Sequence, residues 1–202
     1  MKKVLLIACL VSLVSTAAAQ TSNAGASGAS ECKLKLAQAP VIRGIHLGMT
    51  VNEVLAVFPG SEKNVDLRQR LSQPRLGLSF ANVNPSNYAS KEKFVGVRNV
   101  HFGFLDGELN SFTVWYDGPE WKTIDQFASK VAEAFNLPGG EFWEAGSSLK
   151  TLTCDGFAIR VHWMPDSGSN TIFVRNLQKD ANKIVRERDE ALKDEARRAF
   201  KP

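Results

Sequence analysis

The stretch VHFGFLDGELNSFTVWY, residues 100–116, decides the fold. Asp106-Gly107 is a hairpin signal, and apolar and polar residues alternate on both sides of it, the period-two pattern of half-buried strands. A two-residue turn mixes the two kinds of residue on both faces. A three-residue loop, Leu105-Asp106-Gly107 with Gly107 left-handed, pairs Phe104 with Glu108 and sorts them. Val100, Phe102, Phe104, Phe112, Val114 and Tyr116 then share one face, and His101, Gly103, Ser111, Thr113 and Trp115 the other. A one-residue slip would turn the apolar set to solvent, so register follows burial and the three-residue loop is expected.

A second hairpin surrounds Asp155-Gly156 and sorts with a two-residue turn. Leu152, Cys154, Phe157, Ile159, Val161 and Trp163 line the core; Thr151, Thr153, Ala158, Arg160 and His162 point away. A helix precedes each hairpin. Thr50-x-x-Glu53 and Thr123-x-x-Gln126 are capping boxes, in which hydroxyl and acid or amide satisfy the orphan amides of a first turn. Val51, Val54, Leu55 and Phe58 form one helical stripe, and Ile124, Phe127, Ala128, Val131 and Phe135 another. Pro59-Gly60 and Pro138-Gly139 stop them. Cap, stripe, stop and hairpin recur, so the chain reads as a degenerate helix-plus-hairpin repeat, copy one about 45–117 and copy two about 121–176. An extra strand at residues 76–80, with Leu76, Leu78 and Phe80 alternating, a long surface loop at 81–93 and a last strand near 171–176 complete the pattern. The fold class is α+β: an antiparallel sheet with two helices on one face and the other face wet. From Leu177 onward the chain becomes a charged C-terminal helix (177–202) with a thin apolar stripe of Ile184, Val185, Leu192, Ala196 and Phe200. It is expected on the surface with i,i+4 ion pairs, a partner-binding helix being the alternative.

Gly48-Met49-Thr50 with Glu53-Val54 and Phe58-Pro59, followed by Phe102-x-Phe104-x-Asp106-Gly107-x-Leu109, resembles the SmpA/OmlA (BamE-like) modules of bacterial envelopes. The two-copy build is also similar to β-lactamase inhibitor proteins. These resemblances cover about a third of the chain. They imply a helix-plus-antiparallel-sheet module that binds other proteins and catalyses nothing. The chain departs from SmpA/OmlA in its greater length and in lacking a convincing lipidated cysteine.

The N-terminus reads as a signal peptide, residues 1–19: Lys2 and Lys3, an apolar run at 4–14, and Ala17-Ala18-Ala19 before the cleavage point. The run is too short to cross a hydrocarbon core of roughly 30 Å. Leu6-Ile7-Ala8-Cys9 looks like a lipobox, but the apolar stretch continues past Cys9. Residues 20–31, rich in Ser, Ala and Gly, read as a flexible tether, and residues 32–176 as one domain. Loss of Lys2 and Lys3 lowers the net charge from +4 to +2, a balance that gives no warrant for a nucleic-acid partner. Loss of Cys9 leaves Cys32 and Cys154 as a pair in an oxidising compartment, which predicts a disulfide; two buried thiols that never meet is the alternative.

No Gly-x-Ser-x-Gly elbow or closely spaced histidine pair occurs, so no catalytic residue, metal site or cofactor is expected. If one sheet runs through both copies, His101, Thr113, Trp115, Arg160 and His162 share its outward face. A rigid aromatic beside Arg and His is the composition binding hot spots favour. The expected function is a secreted or periplasmic binding or assembly module that meets a protein partner of the cell envelope there. The alternatives are a small secreted hydrolase using His101 and His162 with Asp117 or Glu108, and a lipid or ligand carrier whose cavity is lined by some of the twelve Phe and four Trp.

Overall fold

A computed structural model describes residues 31–200 apart from 73, 119 and 120. The expected signal peptide and all but the last residue of the tether lie outside the described residues. The chain runs β1 (Cys32–Lys35), α1 (Val51–Ala56), α2 (Val65–Ser72), β2 (Leu78–Val83), β3 (Val97–Leu105), β4 (Glu108–Asp117), α3 (Ile124–Ala134), β5 (Trp143–Ala145), β6 (Leu149–Asp155), β7 (Phe157–Met164), β8 (Ser169–Asn176) and α4 (Ala181–Ala199). The eight strands form one sheet of mixed but largely antiparallel pairing, ordered β1-β6-β7-β8-β4-β3-β2, with β5 beside β1 on β6. Among the described residues no helix is long and apolar enough to cross a membrane.

Hairpin β3–β4 corrects the expected loop. Leu105 pairs with Glu108, so the turn holds two residues, and Asp106 (φ 52°) and Gly107 (φ 82°) are both left-handed. That is the type I′ geometry that matches strand twist. Phe104 then pairs with Leu109, but Gly103 pairs with Ser111, which makes Asn110 an extra residue, a β-bulge. Beyond it Phe102 pairs with Phe112 and Val100 with Val114, all buried. A regular ladder cannot have both a two-residue turn and a one-sided apolar face; one inserted residue reconciles them. Hairpin β6–β7 has the expected register, Leu152 opposite Ile159 and Thr153 opposite Ala158.

Strand β2 starts two residues later than expected and shows its other face to the core. Leu76 (φ 55°) and Gly77 (φ 87°) form a tight turn bridging Arg75 and Leu78, which moves the strand onset. Ser79 and Ala81 face inward opposite Phe104 and Phe102, small residues against large ones, while Phe80 is 63% exposed. The strand continues to Val83, into the segment expected to be loop. Helix α2, which the sequence pattern did not reveal, buries Leu67 and Leu71 and follows Asn64, whose Oδ1 accepts from the Leu67 amide at 3.0 Å.

Both threonine caps form. Thr50 and Glu53 exchange both bonds of the capping box. At α3 the box is half made: Thr123 accepts from the Gln126 amide, but Gln126 reaches back to Lys122. Left-handed Asn136 follows the end of α3, ahead of Pro138-Gly139. Val54 and Leu55 of α1 and Ile124, Phe127 and Val131 of α3 enter one apolar cluster with Phe102, Phe112, Ile159 and Val174. Phe58 stacks on Phe94 at 4.9 Å and meets Phe102 edge-on at 5.9 Å. Cys32 and Cys154 form a disulfide across the parallel pair β1–β6.

Candidate functional site

Strand β8 makes the site possible. It pairs with β7 on one side and β4 on the other, so both hairpins share one sheet. Cross-strand register then places the sequence-selected residues in two adjacent rows. One runs His101–Thr113–Phe173–Arg160, the other Asn99–Trp115–Thr171–His162. All five expected residues lie on one face. Next to the first row lies a third, Phe80–Gly103–Ser111–Arg175–Ala158.

Trp115 is half-buried, with its ring 5.9 Å from that of His101. Its indole N–H is buried and has no acceptor among the described residues. His101 is exposed, its Nε2 3.2 Å from the Asn99 carboxamide nitrogen. Arg160 is exposed and makes no ion pair among the described residues; His162 and Thr113 are half-buried. Across β3, β4, β8 and β7 the three rows carry Arg160, Arg175, His101 and His162 and no acid. Two carboxylates flank these rows: Asp117 at the end of β4, paired with Arg98, and Glu144 of β5, which the first row reaches through Thr151 of β6.

The sequence pattern missed Phe80, Phe173 and Thr171 on this face. Strand β8 was expected, but its place between the hairpins, which decides where its side chains go, is set by long-range pairing. The alternating pattern of β2 misassigned Phe80.

The residues suggested for a hydrolase do not converge. His101 and His162 stand on β3 and β7, three strand spacings or roughly 14 Å apart. Asp117 is held by Arg98 and Glu108 by Lys179. A carboxylate must lie within about 3 Å of an imidazole to orient it, and neither acid is free to do so. His46 is exposed, with its Nδ1 2.9 Å from the Leu47 carbonyl oxygen.

No family model, curated protein or solved structure matches the chain.

Proposed function

We propose that this chain is a secreted or periplasmic, non-enzymatic binding or assembly module of the bacterial envelope, and that it docks an acidic protein surface on the open face of its sheet. The observation that carries the reading is the three-row face, which across β3, β4, β8 and β7 joins Trp115 and Phe173 to four basic or titratable side chains without one carboxylate. Aromatic and arginine side chains bury much area for little lost rotamer freedom, and complementary charge steers the encounter.

The degenerate repeat, with α1 and α3 on one side of the sheet and the binding face on the other, belongs to the same proposal. So do the signal peptide at 1–19 and the SmpA/OmlA-like character of the first copy. The Cys32–Cys154 disulfide fits an oxidising compartment.

The test places a photo-crosslinking residue at Thr113 and, as a control, at exposed Glu92, in the envelope of the source cell. A discrete adduct is expected from position 113 alone. In the Thr113 background, Trp115→Ala with Arg160→Ala should abolish it without lowering the melting temperature. An adduct that survives the double substitution would sink the proposal.

A further inference from the structure

A cavity of about 200 Å³ lies on the open face where α4 begins, beyond the rows that hold Trp115 and Arg160. A dry cavity of ~150 Å³ admits a benzene ring, so this one has room for a single ring or branched side chain. Phe80 and Phe173 supply its apolar walls. Gly103 keeps it open: a Cβ there would lie 2.7 Å from the Ser111 hydroxyl and 3.5 Å from the Phe80 ring.

Its polar groups are specific. Asn110, the bulge residue, is 8% exposed, and its Oδ1 is buried with no hydrogen-bond partner among the described residues. A buried carboxamide oxygen left unpaired is unfavourable and asks for an N–H donor. Arg175, the register partner of Ser111, brings a guanidinium with no acidic partner among the described residues. The neighbouring charges are already committed: Lys179 pairs with Glu108, and the Asp180 carboxylate accepts from the Lys183 amide at 3.1 Å. Ala181 and Asn182, at the rim, belong to the first turn of a 19-residue helix whose start already holds the Asp180 carboxylate as its N-cap, which leaves Arg175 as the cation open to a ligand.

The site therefore wants a donor at Asn110, an anion at Arg175, and an apolar group between Phe80 and Phe173. An acylated α-amino acid carries amide N–H, carboxylate and side chain on one carbon. We propose that this cavity binds an N-acylated amino-acid carboxylate, supplied either as a free small acid or as the C-terminal residue of a polypeptide. The cavity shares Phe173 and Arg175 with the proposed partner face, but the inference does not require a protein partner there.

The test is an NMR titration of the disulfide-bonded protein with N-acetyl-L-phenylalanine and, separately, its uncharged primary amide. Saturable shifts are expected at Gly103, Asn110 and Phe173, with the amide weaker by about tenfold or more, since it loses the charge-assisted bonds. Exposed Arg175→Gln should weaken the acid to the same degree. Asn110→Ala should weaken both probes while leaving the melting temperature equal or higher, because an unpaired buried oxygen is removed. Trp115→Ala with Arg160→Ala should leave the titration unchanged, which separates this site from the partner face. Tighter binding of an acetylated tripeptide ending in phenylalanine would identify a polypeptide C-terminus as the source; equal affinity would identify a free acid. Equal binding of acid and amide, no effect of Arg175→Gln, or no saturable shift at millimolar probe would each overturn the proposal.

Discussion

Tyr116 lies near the end of β4, half-buried on its core side, and burial pushes its phenol up to about 12, against a smaller opposing pull from Arg43. In the unfolded chain a tyrosine ionises near pH 10. Its contribution to stability is therefore intact below about pH 10 and is lost as pH rises through 12. Tyr116→Phe is expected to remove a late phase from the phenolate absorbance titration and to flatten the alkaline decline of the denaturant midpoint. Wild-type alkaline sensitivity in that variant would show the phenol to be solvated. The inward alternation that placed Tyr116 was legible in the sequence; that of Phe80 was not. Leucine rarely adopts positive φ, so nothing in the sequence marked Leu76 as a turn residue, and the alternation was counted from the wrong origin. A pair of variants measures this correction. Phe58→Ala, which removes a fully buried ring, should cost about 3–5 kcal/mol. Phe80→Ala should cost under about 1 kcal/mol. Comparable losses in chemical denaturation would return Phe80 to the core.

At the scale of elements, α4 is held in a different way from α1 and α3. None of its residues is fully buried. Arg188 donates to both oxygens of Asp106 at 2.8 Å and to the Leu76 carbonyl at 2.8 Å, and Lys179 pairs with Glu108. The helix is thus docked to the tip of the first hairpin by partly exposed, charge-assisted bonds, which are individually weak and screened by salt. The Arg188 guanidinium holds the Asp106 carboxyl below its ordinary value. The contribution of this pair is therefore present above about pH 4, the ordinary aspartate value, and is lost as pH falls through the lowered one. Acid, high salt or Asp106→Asn should each lower the amide protection factors, taken relative to the intrinsic exchange rate at that pH, across α4 and the Leu76-Gly77 turn, with little change in the global melting temperature. A large cooperative loss would mean that α4 is part of the core. Sequence periodicity could place α4 and its i,i+3 and i,i+4 pairs such as Lys193–Asp189, because those are local. It could not place a latch between residues 82 apart in the chain, nor a helix as short as α2 with two buried side chains.

For the whole molecule, the closing constraint is covalent. Cys32 and Cys154 are register partners in the parallel pair β1–β6, with Cα atoms 4.5 Å apart and a separation of 122 in sequence. The pairing was legible from cysteine count and compartment, but the parallel strand that aligns the two residues was not, since β1 is four residues long and buries only Cys32. So short an edge strand has little of its own to hold it, and the disulfide ties it to a strand already fixed by β7. Chain entropy sets the gain from closing such a loop at about 5 kcal/mol, and removing native disulfides typically costs about 2–5 kcal/mol. For a chain of this size each kcal/mol moves the melting temperature by about 2–4 °C. Reduction, or Cys32→Ser with Cys154→Ser, should therefore lower it by about 5–20 °C. Amide exchange should rise first in β1, while β6, still paired with β7 on its other side, stays protected. Equal melting temperatures for the oxidised and reduced protein would mean that β1 is held by packing alone.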